Sequence, residues 1–284
     1  MADYNKHIIL CADDFALLPS ISTGITALAN KQRISATSCI TTTPHWENDA
    51  QMLNPLWHKI DIGLHINFTD GKALVVNPFA TTQTTFCCLE KVLLRALTWR
   101  TDKQALRREI NAQLDAFVDM TGHLPDFIDG HQHVHHLPAV AEVIQEIYTQ
   151  RLNKSNCYIR SVYPFVAYTS SVFSKQRIKE AVITYTGAKK MRTSIKRNNI
   201  PSPRCFAGIY DFCQVDHFPE IMTFWLKNVP DSTLIMCHPG HPAADNQDIL
   251  SNSRHKELLW LESEALANIL YQLKIVLSRF SRVC

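Results

Sequence analysis

Short apolar runs alternate with longer amphipathic segments along nearly the whole chain, and no Pro/Gly/Ser-rich linker interrupts them. That alternation is the pattern of parallel strands joined by covering helices. Strands are expected at His7–Ala12, Ala36–Thr42, Asp61–Phe68, Asp126–Gly130, Tyr158–Ser161, Arg204–Gly208 and Thr233–Cys237, each short and rich in apolar or β-branched residues. Helical spacing predicts helices over Pro19–Asn30, Glu47–Leu53, Cys88–Thr98, Lys103–Met120, Pro138–Arg151, Ser174–Thr186 and Asp216–Lys227, then one long helix over His255–Phe280. About seven strand–helix units in 284 residues suit one α/β domain over residues 1–284, a TIM-barrel-like (β/α) barrel distorted to about seven strands. An open doubly wound sheet is the alternative. Thr69–Phe86 and the basic stretch Lys189–Arg204 fall outside the repeat and read as loops over the barrel mouth. The basic residues read as a solvated face, with the border of a substrate groove as the other option.

Composition removes several function classes. Lys+Arg 29 against Asp+Glu 26 leaves a net charge of +3, too balanced for a chain whose main partner is nucleic acid. The 8 glycines form no GxGxxG, GxxxxGK or GxSxG, which removes the signatures of nucleotide-binding loops and of an α/β-hydrolase nucleophile elbow. The 9 cysteines show no CxxC and no framework, so they read as reduced thiols of a cytoplasmic protein. No run approaches the roughly 18 to 20 apolar residues of a membrane span.

Chemistry-bearing residues cluster at the expected C-terminal ends of strands, where a parallel barrel places its active site. Asp13 and Asp14 follow the first strand; adjacent carboxylates there imply a base beside a metal ligand, or else a helix N-cap. His65 ends the third strand within Gly63-Leu64-His65-Ile66-Asn67, where the plain alternative is a core histidine. Asp129-Gly130-His131-Gln132-His133-Val134-His135-His136 places four of the 13 histidines in six residues, and extended spacing would point His131, His133 and His135 the same way. His238 closes the set in Cys237-His238-Pro239-Gly240. One Asp and two His suit a single divalent cation with an open position, which polarises an acyl oxygen and acidifies a water, while a carboxylate base and a histidine acid complete a hydrolase.

The elements Ala12-Asp13-Asp14-Phe15, Gly63-Leu64-His65-Ile66-Asn67, Asp129-Gly130-His131-Gln132-His133-Val134-His135 and His238-Pro239-Gly240, with the segment Arg254–Leu261, resemble the YdjC-like (ChbG-type) carbohydrate deacetylases. The resemblance covers nearly the whole chain. It implies a TIM-barrel-like fold and metal-dependent removal of acetyl groups from N-acetylated sugars such as chitooligosaccharides. Carried over by motif, Asp14, His65 and His131 hold one divalent ion, magnesium or zinc. Asp13 is the general base, His238 the acid for the leaving amine, and His133 and His135 contact substrate or support the ligands. The partner is then an N-acetylated sugar, with no nucleic acid or membrane, and a homodimer stays open. Ala16 stands where the family usually has Gly; because Ala disfavours positive φ, the loop beside Asp14 is expected to differ in shape. The competing readings are a metal hydrolase acting on another amide or a phosphoester, and a sugar-binding protein without catalysis.

Overall fold

The structure, a computed structural model, describes residues 5–81, 84–98, 101–165, 181–243 and 248–283. Strands β1 (Lys6–Phe15), β2 (Ala36–Cys39), β3 (Asp61–Ile66), β4 (Phe127–Gly130), β5 (Tyr158–Ile159), β6 (Cys205–Ala207) and β7 (Thr233–Cys237) pair in the order β5-β4-β3-β2-β1-β7-β6. Every pairing is parallel. The sheet curls until the chain after β5 meets β6 at one parallel bridge, Pro164 to Phe206, giving the distorted barrel expected from the alternation. An eighth strand, β8 (Ile275–Leu277), lies beside the first residues of β1.

The helices bounded by described residues are α1 (Pro19–Asn30), α2 (Trp46–Asp49), α3 (Leu89–Leu97), α4 (Lys103–Thr121), α5 (Pro138–Ile147), α6 (Lys189–Arg197), α7 (Phe218–Asn228), α8 (Ser251–Glu262) and α9 (Glu264–Gln272). Local chemistry sets their ends. Pro19 opens α1 with its φ already suited to a helix. The Asp102 side chain caps α4 by accepting from the Gln104 and Ala105 N–H groups, and Gly122 closes it at φ 70.

β1 shows how one strand serves two cores. Ile8, Leu10 and Ala12 pack outward into the layer shared with the helices, whereas Ile9 and Cys11 point into the barrel with Phe127, Tyr158, Phe206 and Leu234. Phe280 stacks on Tyr158 at 4.1 Å between ring centroids and stoppers the end opposite the mouth. Arg279 beside it binds Asp61 at 2.8 Å and Asp126 at 3.1 Å. Burial on both faces is why β1 reads as an apolar run rather than an alternating one.

Three expectations need correction. The long helix over His255–Phe280 is two helices broken at Ser263, whose ψ of 158 is extended, followed by β8. A short apolar run such as Ile275–Leu277 continues a helical stripe as readily as it forms a strand, so periodicity could not separate them. Lys189–Arg204 is not all loop: Lys189–Arg197 forms α6, which buries Met191 and Ile195 and leaves Lys189, Lys190, Lys196 and Arg197 in solvent. Glu47–Leu53 splits into the short α2 and a 3-10 turn over Ala50–Leu56. Most of the expected helix over Ser174–Thr186 lies outside the described residues.

Candidate active site

Adjacent residues of a regular strand face opposite ways, so Asp13, in phase with Ile9 and Cys11, points inward and Asp14 should point outward. The pairing of β1 with β2 shifts register between Ala12 and Phe15, and Asp14 takes φ 71. This irregularity turns the second carboxylate into the mouth as well, the usual work of a bulge beside an active site. Ala16 also adopts positive φ, at 67, so Ala at this position does not keep the left-handed conformation from forming. The surrounding contacts, including the Ala16 N–H to Ser22 Oγ at 2.9 Å, impose the conformation on a residue that disfavours it.

Asp14 meets both expected imidazoles. Its Oδ1 lies 2.8 Å from His131 Nδ1 and 3.4 Å from His65 Nε2, and one ligand atom from each of the three residues falls within 4.8 Å of the others. Its Oδ2 accepts from Arg254 Nη2 at 2.7 Å. Burial works against the charge on Asp14, but His131 and Arg254 outweigh it and hold the carboxyl well below its ordinary range.

The His65 ring is set by strand register. His65 pairs with Asp129 across β3 and β4, so the two side chains leave the sheet together and His65 Nδ1 meets Asp129 Oδ1 at 2.6 Å. Gly63, two residues back, gives up its side chain to this fit: a Cβ there would stand 2.4 Å from the Phe127 ring. Ser38 Oγ donates to the same Asp129 oxygen. Burial alone would lower the His65 pKa, yet Asp129 and Asp14 overcome it and raise it to about 10.

Arg160, just past β5 and fully buried, is a site residue to which sequence reasoning gave no role. Its Nη1 and Nη2 bind Asp13 at 2.7 and 2.9 Å, and Nη1 also binds Asp129 Oδ2 at 2.9 Å. One planar guanidinium therefore ties the expected base to the carboxylate that orients His65. Cys11, Asp13 and Asp129 also lie close enough to share an ion. Arg160 already supplies the positive charge there, and burial raises the Cys11 thiol well above its usual range, so this second group is not a cation site.

The histidine run does not stay extended. His131–His136 form a 3-10 turn in which Gln132 and His133 have φ of 50 and 62. The three side chains expected to align diverge. His131 goes to Asp14, His133 packs edge-on against Phe206 at 5.6 Å between centroids, and fully buried His135 bonds the Arg160 carbonyl at 3.0 Å through Nε2. His238 leaves β7 with its backbone N–H on Glu257 Oε2 at 2.6 Å. Burial lowers its ring to about 4, against the pull of Asp14 and Asp13. A cleft of about 800 Å³ between α5 and α6 is lined by His136, but not by Asp13, Asp14, His65, His131, Arg160 or His238.

The four motifs thus meet at one mouth of the barrel. Matching against protein families aligns residues 7–272 with the YdjC-like protein family. The chain belongs to the YdjC-like family. A carbohydrate deacetylase of Mus musculus is 29% identical over 153 residues, covering 51% of this chain and 48% of that protein. A chitooligosaccharide deacetylase of Proteus mirabilis is 29% identical over 150 residues, covering 51% and 56%. The chain thus spans about half the length of these curated relatives. The crystal structure of a proposed cellobiose-phosphate cleavage protein from Enterococcus faecalis superposes with a TM-score of 0.75 at 18% identity, covering 99% of this chain and 100% of that one. At that identity the likeness is one of fold. No helix among the described residues of this YdjC-like chain is long and apolar enough to cross a membrane.

The donor set fits a divalent cation. Three buried carboxylates, Asp13, Asp14 and Asp129, gather at one mouth, and Asp14 Oδ1 faces a nitrogen of each of two buried imidazoles, His65 and His131. A carboxylate behind one ring nitrogen, with the other nitrogen aimed at a second ligand, is the usual support of a metal-binding histidine.

Proposed function

We propose that this YdjC-like protein is a metal-dependent carbohydrate N-deacetylase, one catalytic domain that hydrolyses the acetamido group of N-acetylated sugars to acetate and a free amine. The observation that carries the reading is the pairing of the Asp14, His65, His131 cluster with a separate carboxylate, Asp13, that Arg160 clamps at 2.7 and 2.9 Å. A site that only stored an ion has no need of the second carboxylate. The names of the relatives, carbohydrate and chitooligosaccharide deacetylase, support the choice of substrate.

Asp14, His65 and His131 would hold the ion. Two imidazoles suit a borderline ion such as zinc better than magnesium, which prefers oxygen ligands. When bound, the ion supplies Lewis acidity that polarises the acetyl carbonyl and makes water more acidic. Asp13 accepts a proton from the attacking water as the new C–O bond forms. Its bidentate contact with Arg160 keeps the carboxylate in one orientation, so no reorganisation is needed at the moment of attack. His238 donates a proton to the nitrogen as the C–N bond breaks. Its ring is neutral at pH 7 in the resting site; the proton that Asp13 takes from the water passes to it as negative charge on the tetrahedral adduct favours the imidazolium, so this same proton goes to the nitrogen and Asp13 returns to a carboxylate. His135 props the Arg160 backbone, and His133, beside Phe206, faces the sugar.

The test is mass spectrometry of N-acetylglucosamine oligomers incubated with metal-loaded and chelated protein. A mass loss of one acetyl group, present with metal and abolished by chelation, is the expected result. No deacetylation under either condition refutes the reading.

A further inference from the structure

Glu257 is fully buried, and the chemistry above gives it no task. It lies on α8 three residues after Arg254, so both side chains leave one face of the helix. Arg254 reaches the proposed metal ligand Asp14, while Glu257 Oε2 accepts the His238 backbone N–H at 2.6 Å. The hydroxyl of Tyr210, which follows β6, donates to the other Glu257 oxygen. Burial pushes the Glu257 carboxyl up to about 7. A carboxylate in this position is therefore costly to keep and depends on its two donors.

The rest of the His238 surroundings show why such a mount matters. Among the described residues His238 Nδ1 is buried with no hydrogen-bond partner, and its ring meets only the edge of Phe212, at 5.1 Å between centroids. Neither contact fixes the ring along the direction of the leaving nitrogen. The backbone is held instead: besides the Glu257 bond, the Gly240 N–H donates to the Arg254 carbonyl at 3.2 Å. Gly240 sits so close to α1 that a Cβ would fall 3.1 Å from Ile21 Cγ1.

We propose that Glu257, oriented by Tyr210, is a positioning residue that seats His238 on the same helix that grips Asp14 and so fixes the spacing between the acid and the metal centre. This inference rests on the deacetylase reading and adds two residues to it. Neither touches substrate. Their effect is to hold the His238 ring where it reaches the nitrogen, and misplacement by about 1 Å is enough to cost on the order of 10²-fold in rate.

The experiment compares wild type, Glu257→Ala, Glu257→Gln, Tyr210→Phe and His238→Ala on an N-acetylglucosamine oligomer and on 4-nitrophenyl acetate, with metal content measured for each. Nitrophenolate leaves without protonation, so only the amide reaction needs the acid. For Glu257→Ala, kcat on the amide is expected to fall roughly 10- to 100-fold with KM and metal content unchanged, and ester cleavage to stay within about threefold. Tyr210→Phe should show the same pattern at smaller size. Gln accepts from His238 N–H through Oε1 and turns its amide N–H to the Tyr210 oxygen, so Glu257→Gln should recover most of the lost kcat. If Glu257→Ala does not fold, the other two variants carry the same comparison. Wild-type amide kcat in Glu257→Ala and Tyr210→Phe, or equal losses on both substrates, overturns the positioning role. A wild-type protein that cleaves the ester but releases no acetate from the sugar refutes the deacetylase reading instead. Full amide activity in His238→Ala removes the acid that the mount is meant to serve.

Discussion

Replacing Arg160 with methionine is expected to lower stability by about 3–5 kcal/mol, read as a fall in Tm on the order of 10 °C. The size follows from what the substitution leaves behind. Asp13 and Asp129 are 2% and 0% exposed and share this one guanidinium. Without it Asp13 loses its guanidinium partner in the barrel interior and Asp129 keeps only His65 and Ser38, and a native domain holds only about 5–15 kcal/mol in all. Adding Asp129→Asn and Asp13→Asn to the variant should recover part of the loss, because the deficit is charge rather than volume. An exposed pair such as Lys103 and Glu142 makes the control: Lys103→Met should change stability by less than about 1 kcal/mol. Thermal or urea unfolding followed by circular dichroism reads both. An Arg160→Met protein as stable as wild type would show that the buried ion network does not form.

The second large effect concerns turnover. Asp13→Asn is expected to lower kcat for acetate release by roughly 10²–10⁴-fold, the range a general base contributes, and to leave metal content unchanged. Asp14→Asn should lose the metal and the activity together, since the Asp14 carboxylate lies within reach of both His65 and His131. Elemental analysis beside an acetate assay separates the two variants. Retained activity in Asp13→Asn would remove that residue from the mechanism, and retained metal in Asp14→Asn would remove it from the ligand set.

Much of the fold was legible because parallel strands buried on both faces leave apolar runs such as Ile8–Ala12 and Thr233–Cys237. The candidate site was legible where strand ends carry chemistry, at Asp13, Asp14, His65, His131 and His238. The roles of the groups that hold those residues were not, although Arg254 and Glu257 fall in the segment Arg254–Leu261 that carried part of the resemblance. Arg160, Arg254 and Glu257 are single residues whose importance lies in contacts across the barrel, 147, 240 and 19 residues away in sequence. A lone Arg after a short strand reads as a surface cation until the fold shows it fully buried. Asp129 stood inside the quoted histidine motif, but its role depends on the β3–β4 register that sets it opposite His65.

Backbone geometry was the other hidden part. Period two predicts that Asp14 faces away from Asp13 and that His131, His133 and His135 align. The structure breaks period two at both places, with φ of 71 at Asp14 and of 50 and 62 at Gln132 and His133. These left-handed residues lie at or beside proposed metal ligands, where strain is held by the contacts around it. Ala16 makes the same point from the other side, since a residue unfavourable for φ 67 adopts it because the neighbouring contacts require that turn.

The most direct measurement is anomalous X-ray diffraction from crystals of zinc-loaded protein, recorded on either side of the zinc absorption edge. A single strong peak within coordination distance of Asp14, His65 Nε2 and His131 is the expected result. A peak beside Cys11, Asp13 and Asp129, or none inside the barrel mouth, would contradict the shared-ion site on which the proposed chemistry depends.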